Sequence, residues 1–183
     1  MVGTTANDRV GRNVNVLSNG NYVIQSQHWD NGGIIDAGAV TWANGTTGIT
    51  GTINSSNSLI GASNYDYVGE YIETLTNGDY VVSSYEWDNG AINDAGAITW
   101  GSGSTGVTGV VSALNSFVGT VASQLLGGYG FFEFSNGNYI FMSNDWNTGP
   151  IGSLTLFKGG APIVGTPNTT NTLFNQDLWN MWY

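Results

Sequence analysis

Three short runs, Tyr22-Val23-Ile24, Tyr80-Val81-Val82 and Tyr139-Ile140-Phe141, are apolar on both sides of a pleat. A strand with one face in a core alternates instead, so these segments are predicted to lie inside a stack of sheets. Around the first of them the chain reads as strands. Asn13 to Leu17 and Tyr22 to Ser26 flank Ser18-Asn19-Gly20-Asn21, and Asn-Gly between β-prone runs predicts a hairpin, closed here by a type I′ turn. Ala39-Val40-Thr41-Trp42 predicts a third strand, punctuated by Asn44-Gly45. Either Ile49 to Asn54 or the run into Ser58-Leu59-Ile60 supplies a fourth. No window carries a 3.6-residue apolar period, so the expectation is an almost entirely β chain, with Ala122 to Leu126 the weak helical candidate.

This pattern is internally repeated. Asn19-Gly20-Asn21-Tyr22 returns as Asn77-Gly78-Asp79-Tyr80 and Asn136-Gly137-Asn138-Tyr139, at spacings of 58 and 59 residues. Trp29-Asp30-Asn31-Gly32 returns as Trp87-Asp88-Asn89-Gly90 and, more loosely, as Trp146-Asn147-Thr148-Gly149. Asp36-Ala37-Gly38-Ala39 returns as Asp94-Ala95-Gly96-Ala97, whereas the third copy keeps only Gly152-Ser153-Leu154-Thr155-Leu156 after a shortened loop. Asn57-Ser58-Leu59-Ile60-Gly61 matches Asn115-Ser116-Phe117-Val118-Gly119 and Asn171-Thr172-Leu173-Phe174-Asn175. Residues 1–183 therefore read as one repeat domain, with repeats at approximately 8–65, 66–124 and 125–183. Repeated four-stranded antiparallel units covered on both faces point to β-propeller-type blades, three in tandem. A β-solenoid and a trefoil-like closure are the alternatives.

Val10-Gly11, the Asn-Gly hairpin, Asp36-Ala37-Gly38-Ala39-Val40, Ser58-Leu59-Ile60-Gly61, Asp66 and Val68-Gly69 occur in this order. The succession resembles the blades of integrin-α-type (FG-GAP-like) β-propellers, and more closely the W-D-N-G…D-A-G-A repeats of large bacterial surface and secreted proteins. The resemblance covers all three copies and is weakest in the third. It implies a propeller blade on an extracellular interaction protein and does not specify a ligand. Integrin-type blades often carry a calcium loop at the hairpin. The turns at Asn19-Gly20 and Asn136-Gly137 have no carboxylate and that at Asn77-Gly78 has only Asp79, so a calcium site does not carry over.

Composition narrows the partner classes. Arg9, Arg12 and Lys158 are the basic residues against thirteen carboxylates, giving a net charge of -10. Such a surface repels phosphate backbones, so no nucleic-acid partner is expected, nor an anionic membrane. No run approaches the length of a membrane-spanning helix, so no membrane insertion is expected. Cysteine is absent, but 183 residues are enough to bury a core without disulfides or a metal. Polar, uncharged strand-and-turn composition suits a secreted β-protein, although the N-terminus carries no signal-peptide pattern. Met1 to Thr5 aligns with Leu59 to Ser63, so the chain is expected to open inside a repeat, as a piece of a longer array or a permuted blade would. Three blades fall short of a ring. Further repeats or a homodimer, giving a six-bladed ring, would complete it, and Leu178, Trp179, Met181 and Trp182 would favour association.

The candidate ligand-binding residues are the corners Trp29-Asp30, Trp87-Asp88 and Trp146-Asn147. A ring beside carboxylate or amide oxygens can stack on a sugar and accept its hydroxyl protons. The same residues equally suit space-filling between sheets with Asp or Asn shaping a turn, and this structural reading is the preferred one. Trp42 and Trp100, with Leu156 at the third equivalent position, read as core filler. The pairs Asp30/Asp36 and Asp88/Asp94 could in principle flank a glycosidic bond, but the third copy lacks both acids, so loop capping is the better account. With His28 the single histidine and no thiol, neither a catalytic triad nor a zinc site is indicated. The expectation is a non-enzymatic extracellular interaction or adhesion module with a protein or glycan ligand and no cofactor, catalytic residue or metal. A multivalent lectin using the Trp-Asp corners is the alternative, and a glycoside hydrolase a distant one.

Overall fold

In a computed structural model the described residues are 1–143 and 152–174. They form an all-β protein of three repeats and three sheets, with no helix among them. The first sheet is a meander of β1 (Asn13–Val16), β2 (Tyr22–Ser26), β3 (Ala39–Ala43) and β4 (Leu59–Ile60), antiparallel throughout. The second repeats it with β5 (Tyr71–Thr74), β6 (Tyr80–Ser84) and β7 (Ala97–Gly101). Next, β8 (Gly109–Val110) leaves this sheet, and β9 (Phe117–Val118) returns to β7. The third sheet is β10 (Gly130–Glu133), β11 (Tyr139–Ser143), β12 (Ser153–Phe157) and β13 (Thr172–Phe174). A buried hydroxyl pair marks the same register in every copy: Thr41–Ser58, Thr99–Ser116 and Thr155–Thr172, at 2.6, 2.7 and 3.0 Å. This architecture is compatible with a partial propeller.

The hairpins form where Asn-Gly predicts them, with a different turn. Gly20, Gly78 and Gly137 have positive φ, whereas the preceding Asn residues do not. Gly20 N–H donates to Leu17 O at 3.0 Å, and Leu17 N–H donates to Asn21 O at 2.8 Å. The result is a type I turn followed by a glycine bulge. The reason is local. The Asn19 side-chain oxygen accepts the Asn21 N–H at 3.1 Å, which holds Asn19 in a right-handed conformation.

The sheets stack face to face. Leu17, Val23, Val40 and Leu59 of the first repeat pack on Tyr80, Val82, Ala97 and Val118 of the second. On the other face of the second sheet, Val81, Ile98 and Phe117 pack on Tyr139, Phe141 and Phe157. Of the three two-sided runs, only that of β6 is buried on every residue; Tyr22, Ile24 and Ile140 are half-exposed because, among the described residues, their sheets are covered on one side. Trp42 and Trp100 are partly buried against these cores as expected of filler, but Leu156 is 54% exposed, since no described sheet covers it. The Ala122–Leu126 segment is a turn and not a helix. Gln124 Oε1 accepts the N–H groups of Thr120 and Val121, which closes a tight loop where a helix would need i to i+4 bonds.

Both candidates for the fourth strand are used, in different ways. Leu59–Ile60 is the antiparallel neighbour of β3. Its free edge then pairs in parallel with β8 of the next repeat, Leu59 opposite Gly109 and Ile60 opposite Val110. The same parallel contact occurs between Val2 and Thr52 and between Phe117 and Gly165. Val2, β4 and β9 thus each clip onto the repeat that follows, and the Ile49–Asn54 region and its counterparts are the surface that receives them.

Candidate functional site

The Trp-Asp corners lie at these joints. Trp29 and Trp87 are buried, the latter in the core shared by the first two sheets. Asp88 Oδ1 accepts the Asp94 N–H at 2.8 Å, and Asp30 Oδ1 accepts the Asp36 N–H at the same distance. Asp30 also accepts the Thr5 hydroxyl at 3.1 Å. Asn31 and Asn89 donate side-chain N–H groups to the carbonyls of Gly61 and Gly119. In these two copies the ring faces are used for packing and the carboxylates for closing a loop. Trp146 and Asn147, the third corner, lie outside the described residues, as do Leu178, Trp179, Met181 and Trp182.

A second carboxylate completes the joint. Asp66 is fully buried; its Oδ2 accepts the N–H groups of Ala62 and Ser63 at 2.8 and 2.7 Å. Its Oδ1 accepts the Asp88 N–H at 3.0 Å, so one side chain ties the first repeat's last loop to the second repeat's Trp-Asp corner. Asp8 does the same for Thr4, Thr5 and Asp30. Residues on either side adopt left-handed backbone: Asn7 and Arg9, Tyr65 and Tyr67, Ser123 and Leu125. Strain of this kind persists only where neighbouring bonds enforce it. Burial raises the Asp66 pKa against its three N–H donors. At Asp8 desolvation also acts upward, but the hydrogen bonds from Thr5, Asp30 and Thr4 outweigh it and lower the pKa. The glycine of D-A-G-A serves this joint too: at Gly96, φ is +80° and a Cβ would sit 2.3 Å from the Leu126 backbone nitrogen.

The same loops expose a different set of side chains. Tyr65 and Tyr67, flanking Asp66, pack obliquely at 6.0 Å between ring centroids, and Tyr67 meets the His28 ring edge-on at 5.6 Å. His28 Nδ1 lies 3.0 Å from Asp36 Oδ1, and its Nε2 lies 2.8 Å from Arg12 Nη1. Further along, Tyr71 stacks on Tyr85 at 5.8 Å, and the Tyr85 hydroxyl donates to Glu70 Oε1 at 2.8 Å. Desolvation, followed by the charges of Glu70 and Asp94, raises Glu86. Burial, then the charges of Asp36 and Glu86, raises Tyr67. These mutual effects place the groups in one electrostatic neighbourhood, a ridge of tyrosines and carboxylates across the first two repeats. At Glu70 burial raises the pKa, opposed by the Tyr85 hydroxyl and by the positive charge of Arg12. Sequence reasoning missed the ridge. The available signal was that Tyr65, Tyr67 and Tyr71 stand where the other copies carry unrelated residues.

The ridge runs into a cavity of about 240 Å³ between the second and third sheets, lined by Tyr71, Glu73, Ser83, Gly128, Tyr129 and Phe131 among others. Tyr71 and Tyr129 are largely exposed at its mouth. Burial raises the Glu73 pKa. The cavity has a sequence cause. At the equivalent place between the first two sheets, Gln25 Nε2 donates to Gly69 O at 2.8 Å and Asn15 Nδ2 donates to Gln25 Oε1 at 3.0 Å, which seals the gap. In the second junction Ser83 and Glu73 replace Gln25 and Asn15, and Ser83 Oγ reaches only Gly127 O, at 3.1 Å. Among the described residues, no three His, Asp or Glu side chains converge as a metal ion would need, and no helix is long and apolar enough to cross a membrane.

A family model described as a repeat of unknown function (DUF5650) matches residues 16–70, 74–128 and 133–176. No curated protein matches the chain.

Proposed function

The chain belongs to the DUF5650 repeat family, and from that premise we propose that it is a non-enzymatic interaction or adhesion module of an extracellular protein, built like the blades of an integrin-type propeller. The observation that carries this reading is the tyrosine–carboxylate ridge. Tyr65 and Tyr67 sit on a left-handed loop held by the buried Asp66, and Tyr71 stands on the edge strand β5. Tyr65 and Tyr71 are exposed, a placement that the scaffold does not need. Loops fixed by a rigid scaffold are where binding residues concentrate. Tyrosine offers large contact area at low conformational cost, and its hydroxyl can bond to a partner. With a net charge of -10, the surface favours a partner that is basic or rich in neutral hydroxyl groups. The acids best placed by sequence for hydrolysis, Asp30 and Asp88, already accept backbone N–H groups, which supports their role as loop caps.

A glycan ligand is the second reading, favoured by the cavity between the second and third sheets. Tyr71 and Tyr129 can present flat apolar faces to a pyranose ring, and Glu73 and Ser83 can bond its hydroxyls. This moves the sugar site from the buried Trp corners to exposed tyrosines. Parallel arrays of glycans and of basic extracellular proteins, probed with the native chain and with Tyr65→Ser and Tyr129→Ser, separate the readings. Protein binding lost with Tyr65→Ser supports the first; glycan binding lost with Tyr129→Ser supports the second. Binding that survives both substitutions removes the ridge and the cavity from the account.

A further inference from the structure

The two internal junctions define what each sheet face is built to meet. The leading face of the first sheet carries Leu17, Val23, Val40 and Leu59, each at most 2% exposed beneath the second repeat. The equivalent Leu75, Val81, Ile98 and Phe117 are at most 3% exposed beneath the third. The third sheet has the same apolar positions in the same register: Phe134, Ile140, Leu154, Leu156 and Leu173. Among the described residues no further sheet covers them, and Phe134, Leu156 and Leu173 are 40%, 54% and 45% exposed.

The trailing faces mirror this. Ile72, Tyr80 and Val82 cover the first sheet, and Phe131, Tyr139 and Phe141 cover the second. Their counterparts on the first sheet are Val14, Tyr22 and Ile24. Val14 is 54% exposed, and Tyr22 and Ile24 are half-buried. Among the described residues, both halves of an interface that the chain builds twice within itself are therefore left exposed. A contiguous apolar sheet face of this kind marks an interaction surface.

We propose that the leading face of the third sheet docks on the trailing face of the first sheet in a second copy of this chain. The contact is heterologous, joining unlike surfaces head to tail, and continues the internal stack across the chain boundary. Met1–Val2 of the receiving copy already holds the strand position beside Thr52, so the copies meet through the faces of β10–β12 and β1–β3 rather than through that edge.

The heterologous geometry has a signature that a self-complementary interface lacks. Leu156→Asp spoils only the leading face, and Val14→Asp only the trailing one. Both sites are exposed within the chain, so folding should survive; circular dichroism and the thermal midpoint check this. Multi-angle light scattering at rising micromolar concentration should give the native chain a mass above the 19.3 kDa of one copy. Each variant alone should stay at one copy, and an equimolar mixture of the two should form a one-to-one complex through the single intact pair of faces. A native chain that stays monomeric overturns the proposal, whether residues 175–183 or nothing at all covers the face. So do variants that associate like the native chain, or a mixture that fails to pair.

Discussion

The junction between the first and second sheets and that between the second and third are built on the same plan, yet one is sealed and the other open. In the first, Gln25 reaches across to Gly69, braced by Asn15. In the second, the shorter Ser83 reaches Gly127 and leaves a cavity beside Glu73. The stacked apolar faces, the buried hydroxyl pair and the parallel clip are common to both. Residues that recur therefore maintain the stack, and residues that differ between copies open or decorate it. For a repeat protein this inverts the usual intuition: the most conspicuous repeated motif, Trp-Asp-Asn-Gly, belongs to the scaffold.

The strongest way to break the comparison is to attack the joint itself. Trp87→Ala removes a buried ring from the core shared by two sheets and should cost about 3–5 kcal/mol in a denaturant titration. Trp29→Ala should cost less, because that ring packs on a smaller cluster with Met1 and Val10. Asp66→Ala comes next. It removes the acceptor of the N–H groups of Ala62, Ser63 and Asp88. Because these bonds are only part-buried, each donor should cost no more than the lower end of the about 1–3 kcal/mol of a buried unsatisfied donor. Asp66→Asn, which keeps an acceptor oxygen, should recover part of the loss.

A pH series sharpens the contrast at lower energy. Desolvation raises the pKa of Asp66, Glu70 and Glu73 in the folded chain. A carboxyl shifted upward contributes stability that is fully present below its unfolded value and is lost as pH rises through the folded one. Asp8 is shifted downward, so its contribution runs the other way and is lost as pH falls through its folded value. The expected outcome is a urea midpoint that rises on acidification from neutral pH toward the ordinary carboxylate range, then falls in stronger acid. Glu73→Gln should flatten part of that rise. A midpoint that falls monotonically from neutrality would contradict it. The smallest effect belongs to Ser83→Gln, which copies the first junction's plug into the second. It should change stability by less than ~1.5 kcal/mol while abolishing any glycan binding at the cavity.

The repeat, the all-β class and the order of the strands were legible because hydrophobic runs and Asn-Gly turns act locally and recur three times. What escaped depends on contacts between copies. Leu59–Ile60 is too short to announce that it pairs on both edges. The turn type was decided by an Asn19 side-chain bond that the Asn-Gly pattern does not encode. Leu156 reads as core by its alignment with Trp42 and Trp100, but it is exposed because burial there depends on the next sheet rather than on its own. The tyrosine–carboxylate ridge assembles residues from two repeats, and its tyrosines stand at positions where the copies disagree, so a search for self-similarity passes over it.

Hydrogen exchange followed amide by amide under native conditions tests most directly whether these loops are joints. The amides of Ala62, Ser63, Asp88 and Asp94 should exchange as slowly as those of β6, and only through global unfolding. Rapid exchange at these four positions beside a protected β6 would mean that the Trp-Asp corners are free loops, and the division between scaffold and binding surface would fail.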